Sequence, residues 1–194
     1  MDSTSLLLRL LRDGHGVTCV SYEYGQKHSI EIERAKKNIQ RLQSMGMEVS
    51  HKIIDLSSAM GTFHSALTNH NYKVPEGHYE EIQMKQTVVP NRNAIFSSIL
   101  YGMALSISQS EDKEVIVALG VHSGDHAIYP DCRPEFYKAL SDAFSMGNWE
   151  SERVTFELPY ITGDKSTILT DALQSCKVLG LDFDTIMGLS LIHI

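Results

Sequence analysis

The feature that constrains this chain most is a regular alternation of two hydrophobic periods. Short β-branched runs at 17–24, 48–56, 115–121 and 154–158 alternate with longer segments whose apolar residues recur every three to four positions. Strands separated by helix-length connections do not close as tight hairpins. They pair in parallel through right-handed crossovers, with helices packed on the sheet faces. The pattern therefore predicts an α/β fold, a doubly wound and mostly parallel sheet with helices on both faces. One domain over 1–187 suits a chain of 194 residues with 42% hydrophobic and 21% charged residues.

The spacing also places the helices. Leu6, Leu7, Leu10 and Leu11 line one face of a first helix that starts at Ser3 and Thr4, with Asp2 beside its positive end. A helix in such a fold normally follows a strand, so a first strand is expected upstream of residue 1. Residues 188–194 read as a truncated or non-native tail. Ser29 is expected to cap a second helix with Ile32, Ala35, Ile39 and Leu42 inward, and 57–69 reads as a weaker helix. Residues 71–93 carry Pro75, Gly77 and Pro90 with little periodicity, a long loop of the kind that is functional or disordered. Asn93 is expected to cap a helix to about 109 that is apolar nearly all round and hence buried. Pro134 suits the first turn of a helix with Phe136, Leu140, Ala143 and Phe144 inward. Asp164 opens a last helix with Ile168, Leu169, Ala172 and Leu173 inward.

Charge and cysteine content exclude some functions. Lys and Arg number 17 against 24 Asp and Glu, giving a net charge of −7 that opposes sequence-blind binding to a phosphate backbone. No direct nucleic-acid partner is expected. Cys19, Cys132 and Cys176 are too few and too scattered for a disulfide framework, which points to a reducing, cytoplasmic compartment. The longest apolar run, at 115–121, falls far short of the roughly 20 residues that span a bilayer.

Five polar constellations could carry chemistry, and the fold rule puts ligands at the carboxyl ends of the strands. Asp2 and Ser3 at a helix start can hold phosphate, or can simply cap. Tyr24, Gln26, Lys27 and His28 follow a strand with Gly25 at the turn; they either face a ligand or are solvated. Arg92 sits between Asn91 and Asn93 before a helix, and an Arg fork suits phosphate or carboxylate. His122, Asp125, His126, Asp131 and Arg133 crowd the segment after the strand at 115–121. There Asp125 could hold Mg²⁺ on a nucleotide, or His122, His126 and Cys132 could hold zinc, though their spacing fits no closed zinc site. Lys165 in a helix's first turn opposes the dipole and so invites an anion.

In order along the chain, YGQKH (24–28), SALT (65–68), VPEGHY (74–79), TVVPNRN (87–93), GVHSGDHAIYPDCRPEF (120–136), MGNWE and DKSTIL resemble the 7-cyano-7-deazaguanine synthase family within the PP-loop ATP pyrophosphatases. The resemblance implies an adenine nucleotide alpha hydrolase-like fold and an ATP- and Mg²⁺-dependent ligase. Its substrates would be 7-carboxy-7-deazaguanine and ammonia, and its product the nitrile preQ0 of queuosine biosynthesis. It implies an adenylated carboxylate, then an amide that is activated and dehydrated. Asp2 and Ser3 match the end of the family's phosphate loop, Ser-Gly-Gly-Met-Asp-Ser, of which the last three residues are present. The match assigns Tyr24, Gln26 and His28 to the nucleotide or substrate pocket and Arg92 and Asn93 to nucleotide or carboxylate contacts. It gives Asp125 the Mg²⁺ or the substrate carboxylate, and Lys165 a phosphate. His122, Asp131 and Arg133 fall to the deazaguanine. A homodimer is expected. The family's zinc-binding cysteines have no counterpart in this chain, so no structural zinc is expected here. Another PP-loop enzyme, amidating or tRNA-thiolating, and a non-catalytic nucleotide-binding fragment are the alternatives.

Overall fold

The computed structural model describes residues 1–26, 30–63, 88–122, 124 and 129–188. In chain order the elements are α1 (Asp2–Arg12), β1 (Val17–Glu23), α2 (Ile30–Ser44), β2 (Val49–Asp55), the single turn α3 (Ser57–Met60), α4 (Arg92–Glu111) and β3 (Val115–Ala118). A 3-10 turn (Pro130–Cys132), α5 (Pro134–Gly147), a second 3-10 turn (Ser151–Arg153), β4 (Val154–Glu157), α6 (Lys165–Leu179) and α7 (Phe183–Gly188) follow. They fall into two compact units, Met1–Val89 with Ser166–Ile194, and Pro90–Lys165.

In the first unit β1 and β2 pair in parallel, from Val17 opposite Val49 to Glu23 opposite Asp55. The Leu56 N–H donates to the Glu23 carbonyl at 2.6 Å, one residue beyond the ladder. The interior is aliphatic: Leu7 and Leu8 of α1, Ile39 and Leu42 of α2, Ala172 and Cys176 of α6, and Ile186 and Met187 of α7 form one cluster with Val49. Each helix supplies neighbours three or four apart, or adjacent on one stripe, as the 3.6-residue period requires. A charged tie joins α1 to α6. Arg12 Nη1 lies 2.6 Å from Asp171 Oδ1 and donates to Ser175 Oγ at 3.0 Å, while Arg9 Nη1 approaches Asp171 at 3.4 Å. The Arg12 guanidinium is held above its ordinary range by hydrogen bonds to Asp13 and then to Asp171. Asn38, buried on α2, donates from Nδ2 to the Ile186 carbonyl at 3.2 Å and so anchors α7.

In the second unit β3 and β4 pair in parallel, Val115 opposite Val154 through Ala118 opposite Glu157. The core is smaller and aromatic. Tyr101 of α4 stacks on Phe144 of α5 at 4.7 Å and on Phe156 of β4 at 6.0 Å, and Phe144 lies 6.0 Å from Phe156. Ala104, Val117 and Val154 close the cluster. Arg153 pairs with Asp112, a residue in the left-handed region with φ of 51°.

All described strands run parallel and alternate with helices, as the sequence pattern requires. Several local expectations change. Asn93 is not the cap of α4: the cap is Asn91, left-handed at φ 59°, and Asn93 lies in the first turn. The helix is not buried all round; its fully buried positions are the stripe Ser97, Tyr101, Ala104 and Ser108, which packs toward β3 and β4. On α5 the face turned inward runs through Tyr137 and Phe144, seven residues apart, and Ala143 lies about 120° round the helix, exposed. On α6 Ile168, Ala172, Ser175 and Cys176 are buried and Leu173 is exposed, because it lies about 140° from Ile168. That helix is not the last, since α7 follows it. Of the helix expected at 57–69 the described part, 57–63, is helical only over Ser57–Met60; Ser29, residues 64–69 and residues 71–87 of the loop fall outside the described residues.

Candidate functional site

In the first unit the candidate residues sit where elements end. Beyond β1 the chain turns at Gly25, whose φ of +82° a side chain would disfavour. Gln26 closes this turn: its Oε1 accepts from the Tyr24 N–H at 2.8 Å and its Nε2 donates to the Tyr22 carbonyl at 3.0 Å. The sequence reads Gln26 as a donor facing a ligand, but the structure commits both ends of its amide to the backbone. Tyr24 beside it is half-buried. Asp2 and Ser3 occupy the first turn of α1, where the Met1 carbonyl accepts from the Ser5 N–H at 3.0 Å and from Ser5 Oγ at 3.1 Å. Such a helix end directs its first-turn N–H groups and positive dipole outward, an arrangement suited to phosphate oxygens. Lys27 and His28 lie outside the described residues. Asp55 ends β2 opposite Glu23, and its carboxylate, held below the ordinary range by hydrogen bonds from Ser57, accepts the Ser57 N–H at 2.8 Å.

The second unit brings distant segments together. Arg92 opens α4, half-buried, and Asn93 reaches from the next position to the 3-10 turn 38 residues on. Its Nδ2 donates to the Asp131 carbonyl at 3.3 Å and to Cys132 Sγ at 3.5 Å. The turn is closed by Cys132 N–H to the Tyr129 carbonyl at 3.0 Å and Arg133 N–H to the Pro130 carbonyl at 3.3 Å. The Arg133 carbonyl then accepts from the Phe136 N–H at 3.1 Å, so this exposed residue caps α5. Tyr137, only 3% exposed, was not singled out in the sequence. Burial pushes its phenol up, Cys132 and Asp131 push it further, and Arg92 pulls the other way. Those charges place the Tyr137 side chain in the field of the same cluster. A Tyr three positions after a Pro-led helix start is the signal that could have found it.

His122 lies past the carboxyl end of β3, 3% exposed. Its Nδ1 accepts from the Gly124 N–H at 3.0 Å, so a neutral ring carries its proton on Nε2. A Cβ on Gly124 would come within 2.8 Å of His122 Cε1, so this close approach needs glycine. Lys165 is the exposed first residue of α6. Asp125 and His126 lie outside the described residues.

A family model described as "Queuosine biosynthesis protein QueC" matches residues 1–184. The chain belongs to the QueC family. It is 44% identical over 94% of its length to the "7-cyano-7-deazaguanine synthase" of Alteromonas mediterranea, covering 77% of that protein. It is 42% identical over the same share to a protein of the same name from Hahella chejuensis, covering 72% of it, and 39% to one from Methanoregula boonei, covering 77%. The resemblance drawn from the VPNRN and GVHSGDHAIYPDCRPEF segments is thus borne out, and the α/β fold is that of the PP-loop QueC proteins.

Among the described residues of this QueC chain, no group of three His, Cys, Asp or Glu side chains is placed to hold a metal ion. His122 Nδ1 and Cys132 Sγ are already hydrogen-bond acceptors. Burial pushes the Cys19 thiol up to about 11 and raises Cys176 too. No helix of the described residues is long and apolar enough to cross a membrane.

Proposed function

We propose that this chain is an ATP-dependent carbon–nitrogen ligase that converts 7-carboxy-7-deazaguanine and ammonia to 7-cyano-7-deazaguanine, preQ0, for queuosine biosynthesis. The observation that carries the reading is 39–44% identity, over 94% of the chain, to proteins named for that activity. The gathering of Arg92, Asp131 and Tyr137 in one unit supports it, since a guanidinium suits a carboxylate and an acid suits the N–H edge of a guanine-like base.

The chemistry follows from the poor electrophilicity of a carboxylate. A substrate carboxylate oxygen attacks the α-phosphorus of ATP and expels pyrophosphate. Ammonia then attacks the acyl carbon, AMP leaves with that oxygen, and a proton is lost to give the amide. The amide oxygen attacks the α-phosphorus of a second ATP and expels pyrophosphate, and departure of AMP with that oxygen and loss of two N–H protons leaves the nitrile. Mg²⁺, when bound, offsets charge on the phosphates. Asp125 is assigned to it in this reading.

The chain's own residues take these roles. Asp2 and Ser3, at the α1 end, take phosphate, and so does Lys165. Tyr24 and His28 line the nucleotide or substrate pocket. Gln26 serves that pocket through the turn it braces. Arg92 pairs with the carboxylate, and His122, Asp131 and Arg133 hold the deazaguanine. Residues 1–187 act as one enzyme domain in the cytoplasm, a compartment that suits three cysteines held as thiols. A homodimer belongs to the same reading, and Met146 and Trp149, 83% and 92% exposed, are apolar side chains that a second copy would cover.

The test is incubation with ATP, Mg²⁺, ammonia and 7-carboxy-7-deazaguanine, read by mass spectrometry. The nitrile and AMP are expected. AMP without the acid, or product without ATP, counts against the reading. A tRNA substrate that alone triggers AMP release would favour the thiolating alternative.

A further inference from the structure

The structure assigns Asn93 a positioning role: its side-chain amide fixes the 130–132 turn, and with it Asp131 and Arg133, against Arg92. This deepens the proposed function, on which its ligand-binding arm rests. A primary amide has two N–H groups. Both have acceptors here, the Asp131 carbonyl at 3.3 Å and Cys132 Sγ at 3.5 Å. Those acceptors lie on a turn 38 residues away in sequence, so the bonds set a tertiary distance rather than a local bend. Arg92 precedes Asn93 on the same helical turn, so the tie sets its origin too. The backbone strengthens the arrangement. Asn91 holds the left-handed conformation, which directs Asn93 into the first turn instead of the capping position. On the far side, Arg133 caps α5, so the bonded turn is braced by a helix at each end. Cys132 is 6% exposed and reports on the tie, because opening the turn exposes its thiol.

Two substitutions separate positioning from contact. Asn93→Asp keeps the size and the acceptor oxygen but loses both donors. Asn93→Ala loses everything. If the N–H groups position the turn, the two variants fail alike. If Asn93 touches the ligand through its oxygen, Asp retains function and only Ala fails. The first readout needs no ligand: iodoacetamide labelling mapped to the Cys132 peptide, with Cys19 and Cys176 in the same digest reporting any global loosening. Asn93→Ala is expected to label Cys132 about tenfold faster than the parent, the opening that loss of two hydrogen bonds allows, with Asp moving in the same direction. Cys19 and Cys176 labelling stays unchanged. The second readout is calorimetric binding of 7-carboxy-7-deazaguanine, which both variants weaken to a similar degree.

Cys132 labelling at the parental rate in Asn93→Ala overturns the assignment. So does an Asp variant that binds like the parent while Ala does not. A parent protein that binds no acid at all sinks the proposed function, and in that case the labelling result still decides the tie by itself.

Discussion

The two units use the same alternation of strand and helix but hold it together differently. The first buries aliphatic side chains from four helices and adds a charged tie, Arg12 to Asp171, at one edge. The second has few fully buried aliphatics and relies on three stacked rings, Tyr101, Phe144 and Phe156. Their candidate residues differ in the same way. In the first unit they sit at element ends, with Gln26 bracing its own turn. In the second, Asn93 joins segments far apart in sequence. Where a core is small, polar cross-links can take over part of its work of fixing distant segments.

The comparison breaks most easily in the aliphatic interior. Leu8 is fully buried at the heart of the first cluster. Leu8→Ala is expected to cost about 3 kcal/mol in urea unfolding, through lost transfer energy and the cavity left behind. A loss below about 1 kcal/mol would show that the interior collapses around the gap, contrary to a tightly filled aliphatic core.

Next comes the aromatic stack. Tyr101→Leu keeps an apolar side chain but removes two ring contacts, and about 1–2 kcal/mol is expected to go with them. Equal stability would mean that the rings contribute only buried area. A similar loss, about 1–2 kcal/mol, is expected for Arg12→Ala, discounted because the pair is partly solvated. Loss of the same size in 1 M salt as at low salt would indicate that Arg12 acts by packing rather than by charge.

The smallest effect is a pH slope. His51 on β2 is held below the ordinary 6.5, first by burial and second by Lys36, while its Nε2 lies 2.9 Å from Ser21 Oγ. The folded state therefore prefers the neutral ring. That contribution is fully present above pH 6.5 and is lost as pH falls through the depressed folded value, because the unfolded chain takes up the proton first. His51→Gln is expected to flatten the acid side of the stability–pH curve. An unchanged slope would assign the acid sensitivity elsewhere.

Much of this was legible in the residues. The β-branched runs gave the strands to within one to three residues at each end, and parallel pairing followed from the length of the connections. The family was readable from long unbroken stretches such as those around Arg92 and Asp131. Helix faces were less legible. Leu173 looked inward by hydrophobicity alone, but a face is set by what packs on it, and Ser175 took the interior place instead. Amide partners were not legible at all. Gln26 and Asn93 look like ligand contacts in a sequence, and their bonds depend on a positive φ at Gly25 in one case and at Asn91 in the other.

The central claim is that ATP activates the acid by adenylation. It is tested most directly by giving the enzyme 7-carboxy-7-deazaguanine labelled with ¹⁸O in the carboxylate and analysing the products by mass spectrometry. The account requires the heavy oxygen to appear in AMP, since each carboxylate oxygen leaves on an α-phosphorus. Label found in water or in inorganic phosphate, with AMP unlabelled, would contradict it.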